Sequence, residues 1–249
     1  MKIALYRLGV LALLLAAWAV VSRIVGGNLV PTPTETFHAA GRLLADGRIL
    51  TALGESLRVY LGGFLFAALA GIPLGLAMGA HRDLGRTLEV YVNALMATPR
   101  VAFIPLIIVF LGLGNEAKIV IVFLGAVMPI LVNTYAGILQ SDEELIEMAR
   151  SMGATRTQVY FRIMLPGALP FVAVGLRLGA TIGLINTVVA ELYTAVSGLG
   201  GLLALYGNTF QMAPYFVVVL LLALVGAVVT QLLRQIEVRA GRWRSTGSP

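Results

Sequence analysis

The sequence predicts an all-α integral membrane protein with about six transmembrane helices, organised as one membrane domain over residues 1–249. Three observations carry that prediction. Hydrophobic residues make up 59% of the chain and charged residues only 12%, with a mean hydropathy of +0.91, whereas a soluble domain of this size sits nearer half apolar and a quarter charged. The apolar residues are gathered into runs long enough to cross a bilayer. The basic residues flank those runs, as topology signals do.

The first run lies near Leu5–Val25. Its basic start and Ala17-Trp18-Ala19 triplet resemble a cleavable signal, but about 18 to 20 apolar residues exceed a signal core, so a retained first span is expected. A polar, Pro-containing stretch follows, "GGNLVPTPTETFHAAGRLLADGRIL". Within and after it, Leu43-Leu44 and Ile49-Leu50-Leu53 suggest a helix lying along the interface. The second span is expected near Leu57–Ala80. The third lies near Leu88–Leu111, interrupted by Pro99, Arg100 and Pro105, and the fourth near Ile119–Leu139 contains Pro129. The fifth and sixth are expected near Phe171–Val196 and Tyr215–Ile236. Prolines inside spans are tolerated where other groups satisfy the freed carbonyls.

An even number of spans puts both termini on one side. That side carries Lys2, Arg7, Arg82, Arg86, Arg150, Arg156, Arg162, Arg234, Arg239, Arg242 and Arg244; the other carries Arg23, Arg42, Arg48, Arg58 and Lys118. The ratio is about two to one, so both termini are expected in the cytoplasm.

Between spans four and five the chain turns polar, in "SDEELIEMARSMGATRTQVYFRIMLP" (Ser141–Pro166). Ser141 with Glu144 reads as a capping box. Leu145, Met148, Ala149 and Met152 recur at three- and four-residue spacing and form one apolar face. Asp142, Glu143 and Glu144 suit the positive end of the helix dipole, and Gly153 suits a helix end with positive φ. Thr155 and Gln158 form a second capping box, and Val159, Tyr160, Ile163 and Met164 give the second helix an apolar side. Pro166 and Pro170 are expected to stop it and start the fifth span. Amphipathicity alone fits a hairpin on lipid headgroups, but lipid-bound helices usually carry Lys and Arg where this one begins with acids. The reading favoured is a segment that docks into a protein groove.

The notable polar residues in the spans are Arg100, Asn133, Arg177, Asn186 and Glu191. Ionisable groups in spans usually face the bundle interior or a water path, and Arg100 is the best candidate to meet an anionic solute. Arg177 either lines the path or snorkels to the cytoplasmic surface. Asn133 and Asn186 line the path or bond between helices. Glu191, near the outer end of span five, is expected to face water or pair with an arginine. Gly71–Gly75–Gly79 and Gly175–Gly179–Gly183 are small-residue stripes for close helix packing, the second also a candidate two-chain interface. "SGLGGLL" (Ser197–Leu203) marks an outer turn and suggests a short re-entrant helix after it.

Several functions are excluded. The net charge of +6 is not arranged as a basic stripe with aromatics, so nucleic acid is not an expected partner. No cysteine is present and the two histidines, His38 and His81, stand apart, so no metal is expected. The lysines Lys2 and Lys118 lie outside any Gly-rich phosphate loop, so ATP hydrolysis by this chain is not expected.

The interlude also carries a resemblance. Glu147-Met148-Ala149, Gly153 and Ile163-Met164-Leu165-Pro166 resemble the "EAA" motif, E-A-A-x3-G-x9-I-x-L-P, of binding-protein-dependent ABC importer permeases, with Met148 in place of the first Ala. "ESLRVYLGGF", "AGIPLGLAMG", "ATPRVAFIPLIIVFLGLG", "PILVNTYAGI" and "AELYTAVSGLGGLL" are similar to the nitrate/sulfonate/taurine branch. The resemblance covers roughly residues 5 to 240 and implies a type I importer permease in the cytoplasmic (inner) membrane. Residues 141–166 would be its cytoplasmic coupling segment. Glu147, Met148, Ala149, Arg150, Met152, Gly153, Ile163, Leu165 and Pro166 would then contact an ATPase subunit. It further implies two permease chains, two ABC ATPase subunits holding ATP and Mg, and an outer solute-binding protein, with no cofactor on this chain. The solute would be a small anion such as nitrate, a sulfonate or taurine, or a small heterocyclic precursor. A self-contained secondary transporter or channel is the alternative; neither inverted repeats nor paired intramembrane carboxylates are evident for it. A membrane scaffold is the third reading.

Overall fold

The computed structural model describes residues 2–241, with side chains from residue 5 to 238. Arg242 and Arg244, and the side chains of Lys2 and Arg239, lie outside the described residues. The regular structure described is helical: α1 (Lys2–Val25), α2 (Pro33–Ala45), α3 (Arg48–Ala80), α4 (Arg82–Ala97), a 3-10 turn (Arg100–Phe103), α5 (Ile104–Leu111), α6 (Asn115–Leu139), α7 (Glu143–Ser151), α8 (Arg156–Val159), a π-helical turn (Tyr160–Met164), α9 (Leu165–Thr194), α10 (Gly198–Asn208) and α11 (Met212–Gly241). Five stretches are long and apolar enough to cross a membrane, and six if α4 and the Arg100–Leu111 segment count as one broken span.

Three boundaries differ from expectation. The third span is interrupted at Pro99 and Arg100 as expected, but it starts at Arg82 rather than Leu88, Pro105 lies in the first turn of α5 without breaking it, and the two segments, Arg82–Ala97 and Arg100–Leu111, are bent by 80°. Pro99 pushes Thr98 out of the helical region, and Thr98 sits at ψ 131. The helix expected to lie along the interface is limited to α2, closed by Asp46 and Gly47, the latter at φ 71. Ile49, Leu50 and Leu53 instead begin the 33-residue α3. The second interlude helix does not stop at Pro166 either. It continues through the π turn into α9, and Arg156–Thr194 is one stretch of 39 residues. Leu165 N–H bonds Tyr160 O, five residues back, just before Pro166, which has no N–H to donate. The widened turn lets the helix change register at its prolines rather than break.

The described residues group into two compact units, residues 2–57 with 191–225, and residues 58–190 with 226–241. In the first, Trp18 Nε1 donates to Pro31 O (2.9 Å), Ser22 Oγ donates to Val30 O (2.7 Å), and the Trp18 ring stacks on Phe216. Helix α2 starts at a capping box of Thr32 and Glu35 and buries Thr36, Ala39 and Leu43 on one face. The Thr32 backbone N–H, helped by its hydroxyl, holds the Glu35 carboxyl below the usual carboxylate range.

In the second unit α6 is the central helix. It buries Ile121, Val122, Ala126, Val127, Ile130, Leu131, Thr134 and Ile138. Both glycine stripes pack on it. Gly71 and Gly75 of α3 approach the carbonyls of Val127 and Leu131, and Gly79 lies against Ile138. Gly175 and Gly179 of α9 lie against Ile130 and Ala126. The α9 stripe therefore has an intrachain partner at Gly175 and Gly179. A methyl group on Gly75 would stand 2.6 Å from Leu131 O and 2.8 Å from Thr134 Cβ. Backbone cannot rotate away, so Gly75→Ala is expected to cost about 1–3 kcal/mol. A lowered thermal midpoint of the detergent-purified chain would show it; an unchanged midpoint would mean that α3 and α6 separate freely.

Candidate functional site

The interlude forms two short helices with built ends. Helix α7 is capped by Asp142, whose Oδ1 accepts from Glu144 N (3.0 Å) and Leu145 N (3.2 Å). The expected Ser141–Glu144 capping box is not formed, since Ser141 Oγ donates backwards to Ile138 O at the end of α6. Asp142 displaces it because a carboxylate is the stronger acceptor and lies one residue nearer the helix. At the other end Gly153 adopts φ 83; its N–H bonds Arg150 O (2.9 Å) and Ala154 N–H bonds Ala149 O (3.0 Å). These two reversed bonds are the Schellman closure, which requires a left-handed residue at this position. Thr155 then caps α8 in a capping box with Gln158, as expected.

The apolar face of α7 is turned outward. Leu145 is 44% exposed, Met148 55% and Met152 82%, with Ala149 half-buried between them and Glu147 and Arg150 exposed beside them. Val159 is buried, and Ile163, Leu165 and Pro166 are half-buried in the π turn and the start of α9. The nine motif residues thus occupy α7, its closing glycine and the entry to α9. Such an arrangement presents a short apolar rod, held stiffly at both ends, with one acid and one base at its rim.

Arg100, Asn133 and Asn186 donate to backbone carbonyls. Arg100 Nη1 donates to Gly125 O (3.0 Å) and Leu124 O (3.4 Å) of α6. Asn133 Nδ2 donates to Pro129 O and Asn186 Nδ2 to Ile182 O, each at 2.8 Å and each within its own helix rather than between helices. Arg177 Nε pairs with Glu237 Oε2 at 2.9 Å, both side chains partly exposed, beside a 670 Å³ cleft that Thr230, Gln231 and Arg234 also line.

Glu191 does not face water: it is 1% exposed. It accepts from Ser56 Oγ at 2.8 Å through both oxygens, and from Gly200 N at 2.8 Å. Ser56 Oγ in turn accepts from Leu199 N (2.8 Å), and Glu55 Oε2 accepts from Gly198 N (2.9 Å). Three N–H groups at the start of α10 are therefore held by three side chains. Sequence reasoning singled out Glu191 and the Gly-rich turn separately and missed Glu55 and Ser56. The sequence offers Ser197 as the N-cap of α10, but its side chain forms no cap bond, so the roles of Glu55 and Ser56 could not be read locally. Lys118, counted among the basic residues of the side opposite the termini, is 1% exposed in α6.

The family model described as binding-protein-dependent transport system inner membrane component matches residues 71–242. The chain belongs to this family. The permease is 34% identical to the putative aliphatic sulfonates transport permease protein of Escherichia coli (strain K12), covering 91% of this chain and 88% of the relative. It is 28% identical to the taurine transport system permease protein of the same strain, over 95% and 88% of the two chains. It is also 28% identical to the nitrate import permease protein of Synechococcus elongatus (strain ATCC 33912 / PCC 7942 / FACHB-805), over 76% and 72%. Its fold is similar to that of the MetNI methionine ABC transporter in an inward-facing form, with TM-score 0.67 at 23% identity over 77% of this permease and 95% of that chain. The helical architecture of the described residues is that of a type I ABC importer permease, and the chain is a membrane-embedded transport permease.

Proposed function

We propose that two copies of this permease form the membrane path for a small anion of the sulfonate, taurine or nitrate kind. Two separate ATPase subunits, holding ATP and Mg, drive it through α7 and α8. The exposed apolar face of α7, closed by Asp142 at one end and Gly153 at the other, carries the reading. Leu145, Met148, Ala149 and Met152 enter a groove of the ATPase; Glu147 and Arg150 pair at its rim and set the register, where charges act on orientation more than on affinity. Ile163, Leu165 and Pro166 join this contact to α9, so that closure of the ATPases reaches the spans as rigid-body motion. Both termini and α7–α8 lie in the cytoplasm of the inner membrane, as the basic residues indicate. A solute-binding protein delivers the anion from the outer side and makes most of the selection. The solute class rests on the relatives, which are sulfonate, taurine and nitrate permeases.

The chain has no cysteine, so single cysteines at Ala149 and Met152 report without background. In membranes containing the whole importer, crosslinkers at both positions are expected to capture the ATPase subunit. Capture of phospholipid alone would defeat the proposal. A thermal-shift screen of the binding protein against nitrate, taurine, alkanesulfonates and pyrimidine precursors identifies the solute.

A further inference from the structure

Pro129 lies in the middle of α6 and has no N–H, so the carbonyl of Gly125, four residues earlier, lacks its usual i+4 donor. Inside a membrane an unmet carbonyl is costly, and a proline is tolerated in a span only where another group meets it. Arg100 does so: its Nη1 reaches Gly125 O at 3.0 Å, a bond between a cation and a carbonyl. Arg100 opens the 3-10 turn at the corner where α4 and the Arg100–Leu111 segment bend by 80°. Gly125 is also a crossing point, because a Cβ there would stand 2.7 Å from Asn186 Cγ of α9. The corner of the broken span, the proline site of α6 and α9 meet at one residue.

We propose that Arg100 is a positioning residue for transport. Its guanidinium braces the bent α4–α5 segment on the carbonyl that Pro129 leaves open, and its role is to hold this corner rather than to bind the solute. Pro129 and Arg100 act as one device: the proline creates the acceptor on Gly125, and the arginine, 25 residues from that glycine in sequence, fills it. The residue just before Arg100 is Pro99, which keeps Thr98 out of the helical region at this corner.

A double-mutant cycle tests this on the whole importer. Arg100→Met removes the donor and keeps an unbranched side chain. Pro129→Ala restores an N–H that can bond Gly125 O. In the native background, Arg100→Met is expected to lower the maximal uptake rate roughly tenfold with KM within about twofold, and to lower the thermal midpoint of the purified complex by several degrees. In the Pro129→Ala background the same substitution is expected to change rate by less than about twofold and leave the midpoint within about a degree, since the partner no longer needs it. A solute-binding arginine gives the opposite pattern: a raised KM for the anion, equal in both backgrounds, with an unmoved midpoint. That result would overturn the proposal. Should Pro129→Ala fail to accumulate, amide hydrogen exchange on Arg100→Met decides. Faster exchange confined to about residues 124–134 is expected from the lost brace, and unchanged exchange there would refute it. The transport arm rests on the permease reading, but the unfolding and exchange arms do not. A complex that moves no anion at all would count against the proposed function and leave those two arms still reporting on the brace.

Discussion

Gly153→Arg is expected to abolish ATP-driven uptake while the permease still reaches the membrane. Two effects combine. Gly153 sits at φ 83, where a side chain costs about 1–2 kcal/mol, and it donates the bond to Arg150 O that closes α7. Nothing lies within 4 Å of a Cβ placed there, so strain within the permease is the lesser part. The larger part is the new bulk and charge beside Met152, on the face proposed to enter the ATPase. Gly153→Ala separates the two: it carries the backbone strain without the bulk and is expected to retain uptake within about threefold, against a loss of at least about a hundredfold for the arginine variant. Glu147→Lys, which reverses the rim charge, is expected to lose the ATPase on purification as well. Wild-type recovery of the ATPase subunit with Gly153→Arg, together with coupled uptake, would show that α7 is not the drive contact.

The start of α10 is the second place where one methyl group has a large consequence. Gly198 has φ 83, and a Cβ there would land on the Glu191 carboxylate. That carboxylate is buried and bonded to Ser56 Oγ and Gly200 N, so it has no open side to move toward. Gly198→Ala must therefore combine left-handed strain of about 1–2 kcal/mol with overpacking of about 1–3 kcal/mol. Any bond of Glu191 that is broken adds the cost of an unsatisfied buried group. A total near 3–5 kcal/mol corresponds to roughly 10 °C in the thermal midpoint of a chain this long. Ser56→Ala removes one hydroxyl that both donates to Glu191 and accepts from Leu199 N, and a smaller loss of about 1–3 kcal/mol is expected. Thermal unfolding in detergent reads both; midpoints within about 2 °C of the native protein would show that the α10 turn is not held as the geometry indicates.

Much of the fold was legible because its signals are local. The first span runs from Leu5 to Val25 as read, and α6 ends at Leu139 as read. The interlude, with Gly153 and the Thr155–Gln158 box, was readable from residue type and spacing, since a cap involves atoms only two to four residues apart. Local competition limited even this. Ser141 and Asp142 are adjacent candidates for one cap, and only the path of the chain leaving α6 turned Ser141 back onto Ile138. The break at Pro99 was visible as a proline, but not its 80° bend.

By itself, the sequence determined that the chain lives in a bilayer, where its spans fall, and that a stiff polar interlude with an apolar face interrupts them. Hydropathy, caps and glycine conformations need no partner far along the chain. Only the tertiary structure decided what the intramembrane polar groups do: Arg100 on the carbonyl freed by Pro129, and Glu191 with Ser56 on the start of α10, 135 residues away along the chain from one another. The physical reason is that a group removed from water takes whichever partner the packing of helices brings within about 3 Å, and that choice is made by the fold as a whole.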